Sequence, residues 1–280
     1  MPRYSLNGRT VLITGSTGGL GAAVATELRA RGANLALLDL NGEQVMAQAA
    51  TLGSESVAYG WAVDVRKLES VQAAVDAAAS HFGGIDVVIA NAGITSMAPL
   101  ESHDPALFER VIDINLNGVW RTFRAALPYI KQSKGYLLGV SSMGAFVHSP
   151  LQGPYVASKA GVWALCDATR LEVRHYGVEV GSLHPTFFKT PMMDEVHADP
   201  AGHTLWGGNK KGLWKMIPLE TVVESVVSGI ERRAKIIVPT VQNSLVARVP
   251  GLLRPIVERI GFVGNTIPDA IAKAAKPPVI

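Results

Sequence analysis

The segment TVLITGSTGGLG, residues 10–21, decides the fold of this chain. Its first four residues form a short apolar run typical of a buried strand, and the AAVATELRARG that follows is typical of a helix. Between them, Gly15, Gly19 and Gly21 let the backbone turn tightly and approach a pyrophosphate, whose charge would sit at the positive end of the helix. The segment predicts a strand, a phosphate-binding turn and a helix. A glycine-rich turn without a ligand is the alternative.

Similar apolar runs alternate with helical patterns over the first 240 residues. We predict strands at residues 10–13, 34–38, 57–62, 86–90, 136–140, 179–183 and 235–238. We predict helices at residues 20–31, 43–52, 68–82, 105–131, 155–176 and 220–232, with Asn41 as N-cap of the second. Strict alternation implies right-handed βαβ units. The expected α/β fold is one Rossmann-type domain at residues 1–240 with a doubly wound, seven-stranded parallel sheet, an insert at 186–219 and a C-terminal extension at 241–280.

The composition fits a large buried sheet and argues against several classes of protein. Hydrophobic residues make up 48% of the 280 residues, charged residues 18%, and 28 residues are glycine. Cys166 is the single cysteine, so no intrachain disulfide is possible, and with no visible signal peptide we expect a cytoplasmic protein. A net charge of +3 without a basic stripe gives little support to nucleic-acid binding. His197 and His203 have no nearby residues that would complete a metal site, so none is expected.

Asp39 closes the second predicted strand, 24 residues after Gly15, where an acid is placed to bind a ribose 2′-hydroxyl. Its carboxylate would repel a 2′-phosphate, and residues 16–18 supply no compensating cation. Arg66 and Lys67, after the third strand, are cations that could reach the adenosine end. The sequence favours NAD over NADP, with a loop-capping role for Asp39 as the alternative.

Tyr155 and Lys159 are spaced i, i+4 at the start of a predicted helix, so the phenol and the ammonium share one face. A phenol of pKa about 10 is a poor base near neutral pH, but a fixed positive neighbour favours the phenolate. The pair alone is commonplace on helix surfaces. Ser142, thirteen residues upstream of Tyr155 and just past the fifth strand, lies at the carboxyl edge where open α/β sheets place ligands. Together the three predict acid/base chemistry on an alcohol or carbonyl.

With these motifs, residues 5–238 resemble the short-chain dehydrogenase/reductase family. The resemblance implies that Ser142 holds the substrate oxygen, that Tyr155 is the general acid/base, and that Lys159 lowers its pKa and binds the nicotinamide ribose. Asn115, in DINLNG, resembles the family's helix asparagine that supports a proton-relay water. The implied cofactor contacts are Gly15, Thr17, Gly19, Leu20, Gly21, Asp39, Asp64, Val65, Asn91, Ala92, Gly93, Tyr155, Lys159, Pro185 and Thr190.

Two positions depart from the family pattern. Ala90 stands where the family often has an asparagine, although Asn91 can still tie the central strands together. Thr186 follows Pro185 where glycine is usual. Because a β-branched residue disfavours a left-handed turn, we expect altered loop geometry beside the nicotinamide and retained chemistry.

The insert at 186–219 corresponds to the family's substrate lid and is rich in aromatic residues, methionines and glycines. We predict an apolar substrate pocket formed by Met143, Phe146, Phe187, Phe188, Met192, Trp206 and Trp214. The insert holds no arginine that would read a carboxylate, so a bulky apolar substrate is favoured over a small charged one. The alternative is that these aromatics only pack on the core.

Apolar residues recur with helical spacing in the C-terminal extension, at Leu245, Val249, Leu252, Ile256 and Ile260. Pro250 and Pro255 would break or kink this helix. Residues 231–280 carry eight Lys or Arg against three Asp or Glu. Three interpretations follow for the extension: packing over the lid, contact with a partner subunit, or contact with an anionic membrane surface.

The sequence predicts an NAD-dependent oxidoreductase that interconverts a secondary alcohol and a ketone on a hydrophobic, steroid- or lipid-like substrate. A dehydrogenase or carbonyl reductase of smaller alcohols or sugars is one alternative. A catalytically silent, dinucleotide-sensing protein is another, disfavoured because the catalytic set is complete. The family commonly pairs the helices predicted at 105–131 and 155–176, so a homodimer or homotetramer is expected.

Overall fold

The chain folds around one parallel sheet in a computed structural model that describes residues 3–274. The sheet has seven strands in the order β3-β2-β1-β4-β5-β6-β7, and all neighbours are parallel. The strands are β1 Thr10–Thr14, β2 Asn34–Asp39, β3 Ala58–Ala62, β4 Val87–Ala90, β5 Tyr136–Val140, β6 Glu179–Leu183 and β7 Ile236–Ile237. Each predicted strand is present, and its ends shift by at most one residue.

Helices connect the strands and continue beyond them. They are α1 Gly19–Ala30, α2 Gly42–Leu52, α3 Leu68–Phe82, α4 Pro105–Ile112, α5 Gly118–Ser133, α6 Gly153–Val173, α7 Pro191–Ala198, α8 Pro200–Trp206, α9 Leu219–Glu231, α10 Val241–Arg248, α11 Pro250–Gly261 and α12 Thr266–Ala274. The helix predicted at 105–131 is interrupted by a π-helical turn at Asp113–Asn117. Asn41 caps α2 as predicted, since its side chain accepts a hydrogen bond from the amide of Gln44. Within the described residues, no helix is both long and apolar enough to cross a membrane.

Both faces of the sheet are buried, because successive side chains of each strand enter different cores. In β1, Val11 and Ile13 join the core under α1, α2 and α9, whereas Leu12 joins the core under α3, α5 and α6. This alternation explains why the strands read as continuous apolar runs. Helices on both faces define a doubly wound sheet.

The strand order reverses between β1 and β4, whose last residues pair as Thr14 with Ala90. At such a switch point the loops after neighbouring strands leave toward opposite faces, which opens a crevice at the carboxyl edge. The glycine-rich turn after β1 and the Asn91 segment after β4 therefore meet there.

The C-terminal extension is helical, with one correction to the predicted breaks. Pro250 is the first residue of α11, where the backbone amide would have no intrahelical acceptor and a proline therefore costs no hydrogen bond. Pro255, in contrast, lies inside that helix. The carbonyl left without its usual partner belongs to Gly251, which is exposed and accessible to water. Residues 275–280 of the predicted extension and residues 1–2 lie outside the described residues.

Candidate active site

The turn after β1 is shaped by glycines that could not carry a side chain. Gly15 has φ +64°, and a Cβ there would lie 2.8 Å from the Cα of Ala92. A Cβ on Gly21 would collide with the carbonyl oxygen of Gly15. Helix α1 therefore packs directly on the turn, and its N-terminus faces the crevice.

Gln48 of α2 holds this turn from behind, a contact that the sequence did not reveal. The Ser16 hydroxyl donates to Oε1 of Gln48 at 3.0 Å, and Nε2 of Gln48 donates to the Ser16 carbonyl at 2.7 Å. Both residues of the pair are polar and 32 positions apart, so spacing gave no signal.

Asp39 at the end of β2 both lines the crevice and caps the loop. Its Oδ2 accepts hydrogen bonds from the Thr17 amide at 2.9 Å and the Thr17 hydroxyl at 2.7 Å, and its Oδ1 accepts one from the Leu40 amide at 2.7 Å. A carboxylate has about four lone-pair positions, so one remains for a further donor. The loop-capping interpretation is therefore realised without closing the site to a ribose hydroxyl.

Arg66 is engaged by Asp64, so it is not a free cation at the adenosine end. Its Nε and Nη2 donate to the two Asp64 oxygens at 2.9 and 2.8 Å. This hydrogen-bonded pair keeps the pKa of the Asp64 carboxyl below its usual value. The local charge beside Val65 is consequently balanced.

Asn91 ties the two central strands together, as predicted. Its Nδ2 donates to the carbonyls of Thr14 and Gly15 at 3.1 and 2.9 Å, while its amide donates to the Thr14 hydroxyl at 3.1 Å. Since these bonds join the ends of β1 and β4, they fix the floor of the crevice. The alanine at position 90 leaves this link intact.

Ser142, Tyr155 and Lys159 converge at the same edge of the sheet. The Ser142 hydroxyl accepts from the Gly144 amide at 3.0 Å and lies within hydrogen-bonding reach of the Tyr155 phenol. Nζ of Lys159 lies 5.7 Å from the centre of the Tyr155 ring and donates to the Val140 carbonyl at 2.8 Å. Two further protons of the ammonium are left for other acceptors.

Burial sets the proton affinities of the tyrosine and the lysine. It raises the pKa of the Tyr155 phenol, and the hydrogen bond with Ser142 partly offsets this rise. Burial also lowers the pKa of Lys159 to about 8. At neutral pH the phenol is therefore protonated and the amine is mostly a cation.

Asn115 is fully buried in the π-helical turn and lies outside the cavity lining. Its Oδ1 accepts from the Ile94 amide at 2.8 Å, and its Nδ2 donates to the Ile94 carbonyl at 2.9 Å and to the Ser158 hydroxyl at 3.1 Å. A Cβ on Gly93 would lie 3.3 Å from Oδ1 of Asn115 and 3.4 Å from Nζ of Lys159. The asparagine thus links the loop after β4 to α6 next to the lysine.

His184, directly after β6, supports the serine and was missed from the sequence. The ring is completely buried, with Nδ1 3.2 Å from the Ser142 carbonyl and Nε2 2.8 Å from the Ser182 hydroxyl. Because a carbonyl can only accept, Nδ1 carries the proton and Nε2 accepts from Ser182. Burial lowers the pKa of His184 to about 4, which keeps the ring neutral.

A cavity of about 600 Å³ runs from the glycine-rich turn past these residues to the lid. All the predicted cofactor contacts line it except Gly21, which packs α1 against the turn. Gly15 at one end, Asp39 beside it and the Lys159 ammonium further along form a cradle that fits an elongated dinucleotide. The fit rests on the chemistry of the lining, with glycines where a phosphate can approach the backbone, an acceptor carboxylate beside them and a cation further along.

The predicted substrate pocket needs one correction. Phe146 points away from the cavity and is 1% exposed, with its ring 4.6 Å from that of Trp163 and 4.5 Å from that of His184. Phe146 packs into the core because the 3₁₀ turn at Met143–Ala145 directs the side chain of Met143, and not that of Phe146, toward the cavity. The other predicted residues line the cavity, namely Met143, Phe187, Phe188, Met192, Trp206 and Trp214.

Lid aromatics serve the pocket and the core together. Trp206 is buried in a cluster with Leu205 and Ala270, and its ring lies 5.7 Å from that of Phe262. The indole Nε1 of Trp214 donates to the Gly261 carbonyl at 3.0 Å. The C-terminal extension therefore packs over the lid.

Residues of the extension also line the cavity, which the sequence did not predict. Val246 of α10, Val257 of α11 and Phe262 contribute to its wall. Val246 and Val257 lie on different helices and Phe262 follows α11, so no single periodic pattern in the sequence marks these three residues. Thr186 does not adopt a left-handed turn, because it is not among the non-glycine residues of the described chain that have a positive φ.

Comparisons with known proteins bear on the family of this chain. A family model described as short chain dehydrogenase matches residues 9–201. D-threitol dehydrogenase of Mycolicibacterium smegmatis is 34% identical over 218 residues, covering 77% of this chain and 80% of that protein. 3beta-hydroxysteroid dehydrogenase 1 of Eggerthella lenta is 36% identical over 199 residues, covering 70% and 76%. The crystal structure of a 3-ketoacyl-(acyl-carrier-protein) reductase from Brucella melitensis complexed with NADH has a TM-score of 0.71 at 27% identity, covering 84% of this chain and 96% of that one.

Proposed function

The chain belongs to the short-chain dehydrogenase/reductase family, and from this premise we propose that it is an NAD-dependent dehydrogenase of a secondary alcohol with a bulky apolar body. The family gives an oxidoreductase that binds a nicotinamide dinucleotide. The choice of NAD, the secondary alcohol and its apolar character are the parts that we add. The single observation that carries them is the continuous cavity that joins Asp39, Tyr155 and the aromatic lid.

Proton transfer falls to Tyr155 in this proposal. The Ser142 hydroxyl holds the substrate oxygen. During oxidation Tyr155, as the phenolate, accepts the proton of the substrate alcohol, and during reduction the phenol donates a proton to the substrate carbonyl oxygen. Since burial disfavours a phenolate, the Lys159 ammonium has to offset that charge from the same helix face. A nicotinamide dinucleotide held by these residues would supply the hydride acceptor for oxidation and the hydride donor for reduction.

NAD is favoured because the adenosine end presents the Asp39 carboxylate and because the Arg66 guanidinium there is paired with Asp64. Arg110 is a further cation in the cavity lining. Asp39 lines the cavity with a lone-pair position still available, and Arg66 is held by Asp64. A 2′-phosphate would be repelled by Asp39, and it could pair with Arg66 only by displacing the Asp64 carboxylate.

An apolar substrate is supported by the walls beyond Tyr155. Met143, Phe187, Met192 and Leu213 surround the part of the cavity nearest the lid. Burying such side chains against a ligand gains roughly 25 cal/mol per Å² of apolar surface before ordering costs. Small polar alcohols cannot gain this free energy, although the resemblance to D-threitol dehydrogenase keeps a sugar alcohol as the second candidate.

The substrate proposal is tested with a series of 2-alkanols of increasing chain length and a four-carbon polyol, each oxidised with NAD. Each methylene that enters the pocket is worth up to about 0.8 kcal/mol, so kcat/KM is expected to rise by as much as about fourfold per carbon. Replacing Leu213 with Ser should raise KM for the longest alkanol much more than for the shortest. Leu213 is 54% exposed, so the change should leave the fold stable.

Leu100→Ser is the matched control, because this leucine is 81% exposed and lies outside the cavity. A kcat/KM that is highest for the polyol and flat along the series would favour the sugar-alcohol candidate. NADH binding without turnover of any compound would favour a dinucleotide sensor.

A cytoplasmic location stays part of the proposal, supported by the buried free thiol of Cys166.

A further inference from the structure

Helices α10 and α11 and the residue between them expose a set of apolar side chains, here called the stripe. The stripe consists of Leu245, Val249, Leu252, Ile256 and Ile260, which are 60%, 42%, 69%, 51% and 60% exposed. Within α11, the last three follow each other at intervals of four residues, so they lie on one face. These are the residues whose helical spacing stands out in the sequence, yet they do not pack over the lid.

The inner face of the same helices forms part of the substrate cavity. Val246, Val257 and Phe262 line it, whereas the neighbouring Leu245, Ile256 and Ile260 do not. A single helical layer therefore separates the cavity from the apolar stripe.

This layer is anchored to the body of the protein. The Trp214 indole donates to the Gly261 carbonyl at 3.0 Å, and the His148 amide donates to Glu258 at 3.2 Å. The stripe is therefore presented on a fixed surface between the lid and the loop after β5.

Basic residues are frequent in the segments that carry and adjoin the stripe. Residues 241–274 contain Arg248, Arg254, Arg259 and Lys273, and the lid segment 207–215, joined to the end of α11 through Trp214, adds three lysines. Against these seven cations the two segments hold the acids Glu258 and Asp269. Glu258 accepts from the His148 amide and also lies 3.9 Å from Nε of Arg254. The two segments carry a net charge of +5 against +3 for the whole chain, so positive charge is concentrated here.

We propose that the outer face of α10 and α11 docks on an anionic lipid bilayer, with the stripe inserted into the headgroup boundary. An amphipathic helix with an apolar face and flanking Lys and Arg binds such surfaces through buried area and through attraction to acidic lipids. A second copy of the chain fits less well, because stripe-to-stripe pairing would bring two sets of arginines together. The proposal goes beyond the enzymatic function, and its test requires no turnover.

The test measures co-sedimentation of the full chain with vesicles of phosphatidylcholine, with and without phosphatidylglycerol. Binding is expected to the vesicles that contain phosphatidylglycerol and to weaken as salt is raised. The double variant Leu252→Glu/Ile256→Glu should bind these vesicles at least about tenfold more weakly. Arg248→Gln/Arg259→Gln should weaken binding by about 10- to 30-fold, since each basic residue near an acidic surface contributes about 1 kcal/mol.

Leu100→Glu serves as the control, because it places a single carboxylate on an exposed leucine away from the extension and should bind as the parent does. Melting temperature and sedimentation in the absence of lipid show whether each variant stays folded and assembled. The proposal is overturned if the parent protein does not co-sediment with the vesicles that contain phosphatidylglycerol. It is equally overturned if the stripe variant, Leu252→Glu/Ile256→Glu, binds these vesicles as strongly as the parent does. It is also overturned if the stripe variant, still folded, sediments as a smaller species than the parent, because a second copy would then cover the stripe.

Discussion

At the scale of the residue, the site is governed by how burial and hydrogen bonds shift proton affinities. The Tyr155 phenol is held in its neutral form by burial, and the nearby ammonium of Lys159 has a pKa of about 8. The pair is thus ready to donate a proton at neutral pH, while proton acceptance depends on the positive charge of Lys159. We expect oxidation to require the protonated lysine and the hydrogen bond from Ser142 together.

Replacing Tyr155 with Phe should lower turnover by about 10² to 10⁴ while NADH binding stays close to that of the parent. The ring still packs against its neighbours, but the transferable proton is gone. Steady-state kinetics and fluorescence titration with NADH measure the two effects. Tyr176→Phe, on an exposed tyrosine remote from the cavity lining, is the control. Unchanged turnover in the Tyr155 variant would remove the phenol from the chemistry.

Replacing Asp39 with Asn should lower the ratio of kcat/KM with NAD to that with NADP by about tenfold, because one negative charge beside the 2′ position is lost. Asparagine keeps an acceptor for the amide and hydroxyl of Thr17, and loses only the hydrogen bond from the exposed Leu40 amide, which its NH₂ group cannot accept. Asp39→Ala removes both functions and shows what loosening the loop does by itself. If only the alanine variant changes the ratio, charge is not what selects the cofactor.

At the scale of the element, the ends of β5 and β6 are fixed to each other by side chains as well as by the sheet. His184, after β6, donates to the carbonyl of Ser142, after β5, and is stacked 4.5 Å from Phe146. Ser142, which we propose holds the substrate oxygen, is therefore positioned by a neutral histidine behind it. This role became visible from the register of the two strands, not from the residues themselves.

The buried histidine predicts a pH-dependent stability. Its pKa is about 4 in the folded protein and about 6.5 when unfolded, so the unfolded state takes up the proton first as the pH falls. The free energy of unfolding should drop between pH 7.5 and pH 5, with a contribution from this residue of about 2 kcal/mol. Urea unfolding at both pH values measures it. His184→Gln should show a drop smaller by that amount, and an equal drop in both proteins would mean that other groups cause it.

At the scale of the whole molecule, α5 and α6 expose apolar residues on the helices that the family commonly pairs between subunits. Trp120 is 42% exposed, Leu171 61%, and Tyr176, in the turn after α6, 43%. These side chains lie on different helices from the stripe of α10 and α11. Assembly through α5 and α6 and lipid contact through the extension are thus compatible in one molecule.

We expect sedimentation at micromolar concentration to show a species of at least twice the chain mass of 29.7 kDa. Leu171→Glu should shift it to a smaller species, because a charge would have to be buried in the contact. Leu100→Glu places the same charge outside these helices and should leave the mass unchanged. A parent protein that sediments only as a monomer would contradict the expected oligomer.

The sequence alone was sufficient for the local features of this protein. The strands are largely apolar runs that match the structure to within a residue, because burial on both faces favours apolar side chains at successive positions. The glycine-rich turn, Asp39, Ser142, Tyr155 and Lys159 were identified from their spacing, and the strand order then brings them to one edge. Their chemistry is carried by residue types that few other functions require in that combination.

Only the tertiary structure decided which face each side chain presents and which distant residues share a site. Phe146 lies next to pocket residues in the chain but packs into the core, since a single turn changes its direction. Gln48, His184 and Val257 act across long sequence separations, and no local pattern encodes such contacts. The apolar stripe of the extension was predicted as a helix face, but its exposure depends on which of two apolar faces the lid covers. Local propensities and spacing are properties of short segments, whereas burial and convergence depend on how all the segments pack together.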